Sequence, residues 1–228
     1  MKKETLRQMG SVHVEELARK VVGAMPALDA TEQRVAVQLY RLVAEGQPVS
    51  PVRLAERVGL PARRVAKIVD KWPGVFSDER GDVVAFWGLA QPKMPHRFRV
   101  DGRQLYTWCA WDTLFIPQIL GKSARVESSC PTTGHAVSLT VSPDEVKEVS
   151  PRSAVLSFLR PEEAFDGHVI ERFCHYVLFF ASEDAGRRWT SEHANTFLMS
   201  IEEGFELGRL TNRGKYGAVL VAVGSGPP

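Results

Sequence analysis

The stretch from Asp29 to Trp87 is punctuated so closely that it admits few folds. Asp29 and Glu32 have the spacing of a capping box, and Val35, Leu39, Leu42 and Val43 then recur at helical intervals until Gly46. Ser50-Pro51 supplies an N-cap with proline at the first helical position. Leu54, Ala55 and Val58 turn one side of that helix inward, and Gly59 ends it. Pro61 opens a third helix with Val65, Ile68, Val69 and Trp72 on its buried side. Val75-Phe76, the turn from Asp78 to Asp82, and Val83 to Trp87 read as a β-hairpin. Three helices and a hairpin predict a winged helix. A shorter amphipathic helix, marked by Val12, Leu17, Val21 and Val22, precedes it and ends at Met25-Pro26, because the residue before proline avoids the helical region.

Gln91-Pro-Lys-Met-Pro95 holds two prolines and marks a linker. It divides the chain into residues 1–93, winged-helix-like, and residues 94–228, a second domain. Phe98 to Val100 predicts a strand, and Asp101-Gly102 a turn. A helix is expected from Arg103 to Leu120, perturbed by Pro117 and ended by Gly121. Ala124 to Ser129 and Ala136 to Val141 alternate as the strands of a hairpin around the turn Cys130 to Gly134. Ser142 to Glu145 has the form of a helix start, and Ala154 to Leu159 that of a strand. Tyr176 to Ala181, rich in β-branched and aromatic residues, predicts a central strand. A helix from Ser182 towards His193, a short strand at Phe197 to Met199 and a helix from Ser200 to about Arg209 come next, and the Gly-rich tail from Thr211 is expected to be mobile. The fold class is therefore α+β: a winged-helix-like helical module, then a mixed or antiparallel β-sheet core domain with flanking helices.

Composition narrows the function classes. The net charge of +2 gives no global field for a nucleic acid or a membrane surface. Apolar runs are too short to span a bilayer, and the N-terminus lacks the apolar core of a signal peptide. Three widely spaced cysteines argue against a disulfide framework and place the chain in the cytoplasm. No phosphate loop, dinucleotide fingerprint or nucleophile elbow is present.

The chemistry concentrates in Leu105-Tyr-Thr-Trp-Cys-Ala-Trp-Asp-Thr-Leu114, where Cys109 stands three residues before Asp112 among aromatics. On a helix that spacing puts thiol and carboxyl on one face. Phe173-Cys174-His175 places a second thiol at the edge of the apolar run. Thiolates prefer soft metals, and a carboxyl beside a thiol can carry its proton. Simple packing of buried cysteines is the commoner use of such residues. Zinc, drawing in Cys130 and His175, also stays open, as does a soft-metal-sensing regulator that reads DNA through Arg64, Lys67 and Lys71 on the third helix.

Four blocks resemble the alkylmercury lyase (organomercurial lyase) family: Trp108-Cys-Ala-x-Asp-Thr-Leu114, Ser128-Ser-Cys-x-x-Thr-Gly134, Val137-Ser-Leu-Thr-Val-Ser-Pro143, and Phe173-Cys174 with Phe179-Phe-Ala-Ser182. Their order and spacing are similar as well, from residue 95 to about residue 210. The resemblance implies protonolysis of a carbon–mercury bond, giving a hydrocarbon and Hg(II), by residues 94–228. It implies Cys109 and Cys174 as the essential thiols, Asp112 as the essential carboxyl, and all three as groups that touch mercury. Cys130 would be structural. His175 stands where some relatives have a second adjacent cysteine, which puts in doubt only an accessory thiol there. No organic cofactor is implied. Free small thiols would be needed for turnover, and Hg(II) would pass to a mercuric reductase.

Overall fold

A computed structural model describes residues 2–221. Its first half follows the punctuation of the sequence. Helix α1 (Lys2–Ala24) is followed by α2 (Ala30–Val43), α3 (Pro51–Val58) and α4 (Ala62–Val69). The capping box of α2 is formed: the Glu32 N–H donates to Asp29 at 2.8 Å and the Asp29 N–H to Glu32 at 3.0 Å. Ser50 caps α3, and Gly59 closes it in the left-handed conformation. Strands β1 (Val75–Ser77) and β2 (Val83–Phe86) form the expected hairpin, and β2 continues through a two-residue turn into β3 (Leu89–Ala90).

Two antiparallel sheets make up the remainder. The larger also contains β4 (His96–Val100), β5 (Arg103–Thr107), β6 (Ala124–Ser129), β7 (Ala136–Val141) and β8 (Val146–Ser150), in the order β1-β2-β3-β5-β4-β6-β7-β8. It runs without a break past residue 93. The smaller places β9 (Val155–Leu159) between β10 (Phe179–Phe180) and β11 (Thr196–Ser200). Helices α5 (Asp112–Leu120), α6 (Val169–Arg172), α7 (Glu183–Thr190) and α8 (Ile201–Val221) flank them, making eight among the described residues. None of the eight is long and apolar enough to cross a membrane.

Four expectations are corrected. Arg103 to Thr107 is a strand, so the expected helix from Arg103 begins only at Asp112. Asp101 and Gly102 both have positive φ, 48° and 75°, and close a two-residue hairpin that pairs Val100 with Arg103. Asp-Gly is the favoured pair for such a turn, and it commits Arg103 to Thr107 to an extended strand. Ser142 caps a tight turn, accepting from the Asp144 and Glu145 N–H groups, and leads into β8 rather than a helix. Tyr176 to Ala181 is not a central strand. Only Phe179–Phe180 pairs, at the edge of the small sheet, because the backbone before it is bonded to Ala110 and Ser157.

The fourth correction is the C-terminal tail, which continues α8 to Val221; residues 222–228 lie outside the described part. One tail glycine is a close-approach point, since a Cβ on Gly214 would stand 3.1 Å from Val22 Cγ2, and the same helix makes a tighter approach just before the tail. A Cβ on Gly208 would stand 2.7 Å from Phe115 Cβ, so α5 can lie directly on α8. Asn212 adds an amide bond to the Phe115 carbonyl at 2.9 Å, and the Trp111 indole N–H donates to the Gly204 carbonyl at 3.0 Å. One contiguous core joins α1, α2, α5, α8 and both sheets.

This packing reverses a usual rule. Gly→Ala in an open helix stabilises by about 1 kcal/mol. Gly217, with nothing among the described residues within 4 Å of its Cβ position, should follow that rule. Gly208→Ala should instead destabilise by about 1–3 kcal/mol through overpacking. Urea midpoints of the two variants should move in opposite directions, and a stabilised Gly208→Ala would refute the close approach.

Candidate active site

The site begins where β5 ends. Thr107 donates its hydroxyl to the Cys109 carbonyl at 3.0 Å, and Thr113 donates to the Ala110 carbonyl at 2.7 Å. These bonds fix a turn, Trp108 to Trp111, between strand and helix. Asp112, in the first turn of α5, reaches back and accepts the Cys109 N–H on Oδ2 at 2.8 Å. The i, i+3 spacing is that of a capping box, but the bond lies ahead of the helix, whose N-cap Trp111 has no side-chain cap. Cys109 and Asp112 are thus neighbours as expected, but through a helix-entry turn and not through a shared helical face.

Cys174 arrives from the other sheet. It opens a short 3-10 turn, Cys174–Tyr176, directly after α6. Two anchors set its place. The Ala110 N–H, next to Cys109, donates to the Val177 carbonyl at 2.9 Å. Ser157 on β9 donates its hydroxyl to the Tyr176 carbonyl at 2.7 Å and accepts the Leu178 N–H at 3.0 Å. These bonds draw the segment after Cys174 away from regular pairing and bring the thiol to Cys109. The ligand atoms of Cys109, Asp112 and Cys174 all lie within 4.8 Å of one another, and all three residues are buried.

Electrostatics follow from that burial. Desolvation lifts the Asp112 carboxyl to about 7, against hydrogen bonds from Cys109 and the Trp108 backbone that pull it down. Desolvation pushes the Cys109 thiol well above its usual range, and Cys174 and the Asp112 charge add to the effect. For Cys174 the largest influence is its contact with Cys109, which lowers it. Burial and the charges of Asp112 and Glu171 outweigh that contact and leave it raised. Two neutral thiols therefore surround a carboxyl that exchanges its proton near neutrality, an arrangement suited to proton transfer.

The other candidates fall away from the cluster. Cys130 sits in a separate small group with Phe180 and Ala185. Burial acts to raise its thiol, but hydrogen bonds involving Thr133, Thr132 and Ala181 bring it below its usual value. His175 is exposed. A four-ligand structural zinc site would need one of these two beside Cys109, Asp112 and Cys174, and neither joins that cluster. Three residues around the site give little signal in the sequence. Ser157 is fully buried in an apolar strand, and that position was its only signal. Gly88 lies against Asp112, and Tyr40 donates to the Trp87 carbonyl at 2.7 Å. Trp-Gly between two short apolar runs was the available hint for a hairpin turn.

Comparison with known proteins shows the family of the chain. Residues 89–212 match the family model described as MerB, alkylmercury lyase. The chain is 42% identical to the alkylmercury lyase of Staphylococcus epidermidis over 171 residues, which is 75% of this chain and 78% of that one. The chain belongs to the alkylmercury lyase family. A similar match to the alkylmercury lyase of Pseudomonas putida, 41% identical, covers 76% of this chain and 81% of the relative. The solved mercury-bound form of MerB2 superposes with a TM-score of 0.71, covering 88% of this chain and 98% of that one. Its identity of 20% makes this a likeness of fold. For a member of the alkylmercury lyase family, the reading as a DNA-binding regulator finds no support.

The raised carboxyl has a thermodynamic consequence. The folded chain holds a proton that the unfolded chain releases between pH 3.8 and about 7. The stability from this group is fully present below pH 3.8 and is lost as pH rises to about 7. Asp112→Asn cannot ionise, so its stability relative to the parent should increase from pH 5 to pH 8. Urea midpoints at the two values check this, and a constant difference would show that the Asp112 carboxyl is not desolvated.

Proposed function

We propose that the chain cleaves the carbon–mercury bond of organomercurials by protonolysis, with Cys109 and Cys174 as the mercury-binding thiols and Asp112 as the proton carrier. The observation that carries this reading is the buried cluster itself: two sulfurs and a carboxyl whose ligand atoms lie within 4.8 Å of one another. The substrate is an organomercury cation carried on a small thiol. One protein thiol bonds to mercury and gives its proton to the departing small thiolate. The second thiol gives its proton to the Asp112 carboxylate and bonds to the same mercury. Donation from two sulfurs makes the mercury-bound carbon more basic. Asp112 then transfers its proton to that carbon as the carbon–mercury bond breaks, and the carboxylate is restored. A hydrocarbon leaves, Hg(II) stays on two sulfurs, and no oxidation state changes.

The raised carboxyl supports this sequence, since an acid near 7 can take a proton from a thiol and still release it to carbon. We read turnover as ligand exchange of the bound Hg(II) with small thiols, followed by passage to a mercuric reductase, with no resident cofactor. The three free cysteines favour a reducing, cytoplasmic setting. Residues 1–93 are read as a winged-helix-like domain that shields the site and residues 94–228 as the catalytic core. Helices α2 to α4 with the β1–β2 hairpin support the first of these assignments.

Benzene release from phenylmercury, with excess small thiol present, is the direct assay. Cys109→Ala, Cys174→Ala and Asp112→Ala should each abolish it while leaving the chain folded. Cys130→Ala should lower the melting temperature and keep the activity of whatever remains folded. Full turnover by Cys174→Ala would refute the two-thiol mechanism.

A further inference from the structure

We propose that the Trp87–Gly88 turn is the positioning element for the Asp112 carboxyl, holding it by backbone contact where its proton reaches mercury-bound carbon. The inference rests on the protonolysis reading. Strands β2 and β3 pair Phe86 with Leu89, so Trp87 and Gly88 form a two-residue hairpin loop. Both have positive φ, 35° and 97°, as the type I′ turn requires. That turn favours Asn at its first central position. A bulky tryptophan there is an outlier. Strain of this kind persists only where the surroundings over-determine it, and it gathers at functional sites.

Here the surroundings do so from three directions. The Tyr40 hydroxyl on α2 donates to the Trp87 carbonyl at 2.7 Å. The Trp87 N–H donates to the Gly74 carbonyl at 2.9 Å, from the loop before β1. The Trp108 N–H, next to Cys109, donates to the Gly88 carbonyl at 3.0 Å. The turn is thereby tied both to the N-terminal helices and to the segment that carries the first thiol.

The consequence falls on Asp112. A Cβ on Gly88 would stand 2.4 Å from Asp112 Cγ and 2.5 Å from Oδ1. On the other oxygen, Oδ2 accepts the Cys109 N–H at 2.8 Å. The carboxyl is caught between backbone donors on one side and a bare stretch of backbone on the other. Glycine suits the second position of a type I′ turn in any case. The further demand is the carboxyl, which occupies the space any side chain at 88 would need. The N-terminal part of the chain thus supplies a wall of the site, and Tyr40 and Gly88 are positioning residues.

The test compares the unaltered protein with Gly88→Ala and Tyr40→Phe in the phenylmercury assay. Competent sites are first counted in each by titration with Hg(II), followed through the ultraviolet absorption of the mercury–thiolate complex. Both variants should bind Hg(II) with unchanged stoichiometry and a KM within about twofold of the parent, because the thiols are untouched. Per titrated site, kcat should fall by about a hundredfold in Gly88→Ala, as expected for a carboxyl displaced by about an ångström. In Tyr40→Phe it should fall by roughly tenfold, for one lost buried hydrogen bond. Should Gly88→Ala fail to fold, Tyr40→Phe, which adds no atom, decides alone. An unchanged kcat per site overturns the inference, and so does a loss of rate matched by an equal loss of Hg(II) sites. If the unaltered protein itself released no benzene, the protonolysis reading would fail and this inference with it. Release by the unaltered protein and by both variants alike would remove the inference alone.

Discussion

Asp112 is 6% exposed, and none of the effects that shift its carboxyl comes from a cation among the described residues. Burying a carboxylate without a cation is unfavourable, and the usual resolution is that the group keeps its proton. Much of the surrounding structure follows from that constraint. The helix-entry turn gives the carboxyl hydrogen bonds from Cys109 and the Trp108 backbone, which fix its orientation and lower it by less than burial raises it. The Trp87–Gly88 backbone closes the opposite side. The two thiols complete the shell, and both are themselves raised by their setting. Burial acts on the proposed proton carrier and on both proposed mercury ligands alike.

Bringing those groups together requires two sheets. Cys109 belongs to the end of the large sheet, and Cys174 to a turn beside the small one. The Ala110 N–H to Val177 carbonyl bond ties them, and Ser157 keeps the second segment out of regular pairing. Helix α8 then presses α5 into place through the Gly208 contact and the Asn212 amide. A reacting group must be held to within a fraction of an ångström, and here the cluster is held by hydrogen bonds to backbone groups and by close packing between elements far apart in sequence.

That distribution explains what could be read from the sequence. Local signals were reliable: the capping box at Asp29 and Glu32, Ser50-Pro51, Gly59, and the hairpin around Cys130 all stand as expected. Cys109, Asp112 and Cys174 could be singled out because thiols and a carboxyl in apolar segments are chemically conspicuous. Errors arose where tertiary contacts override local pattern. The Cys109 and Asp112 spacing suits the helix expected from Arg103, yet the strand paired through Asp101-Gly102 takes the next five residues. Tyr176 to Ala181 had strand composition, but its backbone groups are taken by Ala110 and Ser157. The Gly-rich tail from Thr211 suggests mobility, but it continues α8, and a Cβ on Gly214 would meet Val22 of α1. Gly88 and Tyr40 carry no chemistry of their own, and only the fold brings them to the carboxyl.

The most direct test of the mercury clamp is anomalous diffraction at the mercury edge, on crystals of the protein after it has turned over an organomercurial. The expected result is one mercury peak bridging the sulfurs of Cys109 and Cys174, with the Asp112 carboxyl beside it. Mercury bound at Cys130, or on Cys109 with Cys174 turned away, would contradict the two-thiol site.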